Sequence, residues 1–256
     1  MDLKEISQMS PDEEMAHWWI QTRFQYLDQA VLASAGPLPL QILEVGCGTC
    51  QNLRYLRTLT PHMQRIGRLV GVDLELDPKR IDTSWAKPGD WFGKRLEEVP
   101  VQAPGSFDLL VAMDVLEHID DDRDALKRWI RELKPGGQVF ATVPAFPSLW
   151  SQHDVLLDHK RRYTRPHLRE LAQSAGLEVV RTHYAFSHVF PLVYGIRKAP
   201  RPKASPVRSS TELQRTPAPL NAILRGLGKL EARAGGNPWF GTSVVGLFKK
   251  PGPPHV

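Results

Sequence analysis

Gln41-Ile42-Leu43-Glu44-Val45-Gly46-Cys47-Gly48-Thr49-Cys50 decides how the rest of the chain is read. An apolar run enters a pair of glycines, and two cysteines share the same turn. Gly46-x-Gly48 reads as a strand-to-helix turn that exposes bare backbone to a ligand, because glycine tolerates φ > 0 and has no Cβ. Cys47-x-x-Cys50 reads instead as a redox dithiol or half of a metal site. The sequence 25 residues after Gly48 favours the first reading: Arg68-Leu69-Val70-Gly71-Val72-Asp73 is a second short strand that ends in a carboxylate. A carboxylate at that strand end can accept from both hydroxyls of a ribose, while the helix after the turn contributes its first amides. An adenosine cofactor with a free ribose fits, either NAD or S-adenosylmethionine. Gln51 stands where the dinucleotide pattern G-x-G-x-x-G has its third glycine, which disfavours NAD. Glu44, just inside the turn, is costly to bury without a cationic ligand or turn amides to pair it.

Around this turn the chain alternates between strand and helix patterns. Residues 11–33 read as one helix, with Pro11 and the carboxylates Asp12, Glu13 and Glu14 at its start. Further strands are expected at 107–112, 138–143, 177–182 and 244–250, and helices at 51–59, 121–133 and 164–175. Alternation of this kind predicts a parallel sheet with helices on both faces. Residues 198–219 hold five prolines and read as a mobile insertion. Leu220, Ile223, Leu224, Leu227 and Leu230 then share one helical face, with Arg225, Lys229 and Arg233 opposite.

The 256 residues suffice for one large α/β domain. No apolar window is long enough to span a bilayer, the acidic N-terminus lacks a signal-peptide pattern, and two cysteines give no disulfide framework. A cytoplasmic protein is expected. A net charge of +5 permits an anionic partner, but no basic block with interleaved aromatics points to nucleic acid. The basic leucine-striped helix allows weak association with a membrane surface.

Five segments together resemble the class I S-adenosylmethionine-dependent methyltransferases. They are Leu43-Glu44-Val45-Gly46-Cys47-Gly48-Thr49, Gly71-Val72-Asp73-Leu74, Phe107-Asp108-Leu109-Leu110-Val111, Asp114-Val115-Leu116-Glu117-His118-Ile119 and Leu133-Lys134-Pro135-Gly136-Gly137. His17-Trp18-Trp19 with Arg23, Val143-Pro144-Ala145, and His153-Asp154 with His159-x-Arg161-Arg162-Tyr163-Thr164 are similar to one bacterial subgroup. The resemblance implies an α/β, Rossmann-like, seven-stranded and mostly parallel sheet whose last strand runs antiparallel. It implies a single domain over 1–256, in which residues 1–36 form a packing helix or lid.

It also implies roles for particular residues. Glu44, Gly46, Cys47 and Gly48 would cradle the methionine part of S-adenosylmethionine. Asp73 would hold the ribose, Leu74 would pack on the adenine, and Asp114 would face the methionine end. The residue beyond the third strand that meets the adenine is either in Gly89-Asp90 or in Lys94-Arg95. Trp18 and Trp19 either pack their helix on the sheet or, with Arg23, cover the cofactor, Arg23 pairing with its carboxylate. His118, His153 and His159 are candidate bases. Trp150, Asp154, Arg162 and Tyr163 are candidate substrate contacts, with Arg162 as an anion anchor. A metal held by His153, Asp154 and His159 matches no standard ligand spacing. The expected activity is methylation of a small anionic or apolar molecule, O-methylation being favoured. An NAD-dependent oxidoreductase and a non-catalytic cofactor- or partner-binding module are the alternatives.

Overall fold

The computed structural model describes residues 10–34, 36–77, 81–100, 105–198 and 216–252. Seven strands form one sheet in the order β3-β2-β1-β4-β5-β7-β6. They are β1 (Leu40–Val45), β2 (Ile66–Val72), β3 (Trp91–Gly93), β4 (Phe107–Met113), β5 (Leu133–Pro144), β6 (Glu178–Ala185) and β7 (Ser243–Lys249). β7 inserts between β5 and β6, antiparallel to both; the other pairs are parallel. The antiparallel last strand is as expected.

The central strands are continuous apolar runs because helices cover both faces. Successive residues serve opposite cores: Ile42 joins the cluster under the helices α2 (Trp18–Ala33) and α3 (Gln51–Thr58). Leu43 joins the cluster under α4 (Asp122–Trp129) and α6 (Arg165–Ser174). This is the period-2 geometry of a pleated strand.

Three local expectations change. The helix expected over 11–33 is two, α1 (Pro11–Ala16) and α2, broken at His17. His17 is extended (ψ 137°) and caps α2, its Nδ1 accepting from Trp19 N at 3.4 Å. A ring nitrogen satisfies an amide that a continuous helix would have bonded to a carbonyl. β3 is only three residues long and showed no alternation in the sequence. Two short helices, α5 (Gln152–Leu156) and α7 (Phe190–Lys198), occupy segments read as loop or apolar stretch.

The last helix, α8 (Ala218–Arg233), packs against α2 with Leu220, Ile223, Leu227 and Leu230 left exposed and Leu224 half-buried. Gly228 meets Thr22 so closely that a Cβ would collide with it. Ala232 is buried, and Asn221 Oδ1 accepts from Trp18 N at 2.8 Å. Residues 199–215, most of the proline-rich segment, lie outside the described residues.

Candidate active site

The glycine turn joins β1 to α3 in left-handed backbone: Gly46, Gly48 and Cys50 have φ of 69°, 52° and 60°. Any Cβ at Gly46 would strike Val115, so packing as well as ligand approach demands glycine there. Asp73, beyond β2, clamps the turn: Oδ2 accepts from Gly48 N at 2.8 Å and Oδ1 from Glu75 N at 2.9 Å. Each oxygen retains a second lone pair.

A cleft of about 680 Å³ opens here, at the carboxyl ends of the strands, lined in part by Gly46, Asp73, Leu74 and Asp114. Lys94 and Arg95 line it as well, just past β3. Asp90, the other possibility, lies at the opposite end of β3. It is bound to Arg57 in a buried ion pair and accepts from Leu69 N. The residues beyond the third strand are therefore cationic.

The cysteines do not line this cleft. Both are buried free thiols with sulfurs 3.6 Å apart. The hydrogen bond from Cys50, and then burial, push the Cys47 thiol well above its ordinary pKa. A reactive dithiol has the opposite shift. Cys47 can reach a ligand only through its backbone.

A smaller cavity of about 70 Å³ adjoins the cleft through the shared Asp114 and His118. Trp19 and Arg23 of α2 form one wall. The Arg23 guanidinium lies over the Trp19 ring at 4.4 Å and 3.0 Å from Asp114 Oδ2. Asp114 adopts φ 56° and is followed by a 3-10 turn over Leu116–His118. None of the three Arg23 nitrogens has a hydrogen-bond partner among the described residues. Around it stand buried acids in the same state. Glu44 Oε1 accepts from Asn52 Nδ2 at 2.6 Å, Oε2 has no hydrogen-bond partner among the described residues, and burial raises its pKa to about 7. Glu14 is raised to about 7 for the same reason. Neither oxygen of Glu117 has a partner, and burial, then Asp114, hold its pKa well up.

Unpaired buried polar atoms are costly and need explanation. A zwitterionic amino-acid moiety supplies what these lack: a hydrogen-bonding carboxylate for Arg23, beyond its ion pair with Asp114, and an ammonium for Glu44. The residues present therefore fit the methionine end of S-adenosylmethionine, with its adenosine in the larger cleft.

Across the cavity, α5 and the loop after it bring together His153, His159 and Arg162. Asp154 is their hub. It takes His159 Nδ1 at 3.0 Å, Arg162 Nε at 2.6 Å and Ser151 N at 2.8 Å, and Arg197 lies 3.6 Å away. Burial favours its acid form, but the bonds from His159 and Arg162 prevail and keep it well below the usual carboxylate range. His159 meets the His118 ring edge-on at 4.8 Å. Glu117, His118 and His159 each place one ligand atom within 4.8 Å of the others, a set that could hold a metal ion. It is not the His153–Asp154–His159 set considered from the sequence, since Asp154 is committed to Arg162.

The expected substrate contacts differ in what surrounds them. Arg162 lines the small cavity but is buried, its Nε committed to Asp154. Tyr163 is wholly buried, its hydroxyl donating to Asp122 at 2.6 Å, a core role. Trp150 is exposed and lines neither cavity. Glu14, Glu117 and Arg197 were missed; only Glu117, beside His118 in a quoted motif, carried a signal.

The methyltransferase domain family matches residues 18–182. A ubiquinone biosynthesis O-methyltransferase of Sodalis glossinidius is 27% identical over 165 residues, covering 59% of this chain and 63% of its own length. One of Albidiferax ferrireducens is 29% identical over 154 residues, 52% of this chain and 56% of its own. The chain thus spans less than two thirds of the length of these relatives. Among solved structures, a putative sarcosine dimethylglycine methyltransferase from Galdieria sulphuraria superposes with a TM-score of 0.55. It is 19% identical and covers 90% of this chain and 86% of its own, a likeness of fold. The NAD reading is not favoured. The chain belongs to the methyltransferase domain family and is of the class I, S-adenosylmethionine-dependent kind.

Proposed function

We propose that the protein transfers the methyl group of S-adenosylmethionine to an oxygen of a small molecule, within the bacterial subgroup marked by His17-Trp18-Trp19 and the His159–Thr164 segment. The observation that carries the oxygen acceptor is the Asp154–His159 pair facing the cavity behind Asp114 and Arg23. When bound, the cofactor supplies an electrophilic methyl on a sulfonium. The chain's own residues do the rest. Asp73 holds the ribose, Lys94 and Arg95 lie towards the adenine, and Arg23 with Glu44 fixes the amino-acid end. Asp154, kept ionised, orients His159 through Nδ1 and leaves Nε2 to take the proton of an acceptor hydroxyl. The names of the relatives support a phenolic or quinol acceptor.

Glu117, His118 and His159 favour a second reading of the same chemistry. There they hold a divalent cation that binds the acceptor oxygen and acidifies it. Methyl transfer to catechol-type acceptors, followed with His159→Ala and with a chelator, separates the two. On the first reading His159→Ala lowers kcat about 10²-fold or more, leaves S-adenosylhomocysteine affinity unchanged, and chelation does nothing. Chelator-abolished activity restored by magnesium or zinc makes His159 a ligand. Transfer only to amines would overturn both.

A further inference from the structure

Charge is unevenly spread along this chain. Residues 186–256 carry eleven Lys and Arg against Glu212 and Glu231, a net +9 in a chain whose total is +5. Glu231 is turned inward, where it takes Tyr26, Ser187 and His188. Glu212 lies outside the described residues. The described surface of α7, α8 and the loop to β7 is thus purely basic in its charged groups.

It is also apolar. On α8, Leu220, Ile223, Leu227 and Leu230 are 42–63% exposed, because the helix docks on α2 through Asn221, Gly228 and Ala232 instead. Leu192, Tyr194 and Ile196 of α7 are exposed, and Trp239 reaches 77%. Phe190 joins these pieces, its ring 5.3 Å from Phe240 and 5.8 Å from Tyr194. The bonds from Ser187 and His188 to Glu231 tie the entry of α7 to the end of α8. Exposed aliphatic side chains this dense mark an interaction surface. Arg225, Lys229 and Arg233 are exposed on the same helix.

We propose that α8, together with α7 and Trp239–Phe240, docks the protein on an anionic membrane surface. Charge complementarity selects the occupant. Leucines outward, an exposed tryptophan and only cations beside them match a helix lying in the headgroup region of acidic lipid. A nucleic acid would satisfy the cations but offers no apolar phase for the leucines. Among the described residues no helix is long and apolar enough to cross a membrane, so the contact is peripheral. α7 also carries Arg197, whose Nη1 donates to Leu149 O and which lines the small cavity. The docked face therefore adjoins the acceptor side of the site.

Sedimentation of the full chain with vesicles at low salt tests this. Phosphatidylcholine vesicles containing phosphatidylglycerol should bind it about tenfold or more better than phosphatidylcholine alone, and high salt should weaken the binding. Ile223→Glu with Leu227→Glu should lower binding about tenfold or more and, both residues being exposed, leave the thermal midpoint in place. Lys229→Ala with Arg233→Ala should reduce both binding and its salt dependence. Protein that stays in the supernatant overturns the proposal, as does equal binding to neutral vesicles or undiminished binding by the glutamate variant. So does a dimer in solution that Ile223→Glu dissociates, which would make a second copy the occupant.

Discussion

The two ends of the cleft are built on opposite principles. At the proposed adenosine end the key carboxylate is satisfied without a ligand: Asp73 clamps Gly48 and Glu75. At the proposed methionine end Arg23, Glu44 and Glu117 are buried with polar atoms that have no hydrogen-bond partner among the described residues, although Arg23 forms an ion pair with Asp114. The first end is a finished scaffold whose ligand adds bonds. The second holds an unrelieved desolvation cost that a zwitterion would offset. Mutations at the second should therefore affect folding and binding together, and those at the first mainly binding.

The largest effect should come from Arg23→Met. Removing one partner of a buried charge cluster costs about 3–5 kcal/mol of stability. Urea unfolding should show it, and calorimetry should show S-adenosylhomocysteine binding lost. Retained binding would mean that the carboxylate anchor lies elsewhere. Asp73→Ala should cost cofactor affinity about 1.5–3 kcal/mol, the worth of charge-assisted hydrogen bonds, with a much smaller change in unfolding. An equal loss of stability would erase the contrast between the two ends. Tyr163→Phe should cost about 1 kcal/mol or more of stability, since Asp122 loses a buried donor, with kcat unchanged. A kcat loss without destabilisation would return Tyr163 to the substrate site. The smallest effect is expected from Cys47→Ala with Cys50→Ala: methyl transfer retained, no zinc in the parent protein, and a small loss from the vacated sulfur volume. Inactivation of the folded double variant would restore a chemical role for the thiols.

The glycine turn and Asp73 at the next strand end were legible in the sequence because their logic is local. An apolar run into glycines, and a second run into Asp73, fix strand, turn and ligand side at once. β3 was not legible. Trp91-Phe92-Gly93 is too short for alternation, and the adjacent Gly89-Asp90 mimics a ligand-binding pair while serving Arg57. The 153–163 cluster looked uniformly functional because a sequence shows polarity but not partners. Asp154 neutralises Arg162 and Asp122 absorbs Tyr163; His153, His159 and the paired Arg162 line the cavity. Glu117 was passed over because its motif shows polarity but not burial; past the left-handed Asp114 it lies wholly buried. The leucine stripe of α8 misled in another way. Amphipathic spacing predicts a buried face, but here glycine and alanine give the closer approach and, Leu224 apart, the stripe faces out.

Proton exchange on cofactor binding tests the contrast most directly. Glu44, raised to about 7 by burial, binds its proton more tightly folded than unfolded. Without ligand its contribution to stability is greatest below about pH 4.5 and falls as pH rises towards 7. An ammonium beside it reverses the preference and expels the proton. Titration calorimetry with S-adenosylhomocysteine at pH 6.5, in buffers of differing ionisation enthalpy, should show release of roughly half to one proton. No exchange, or net uptake, would show that the buried carboxyls do not meet the ligand's ammonium and that the methionine end has been misplaced.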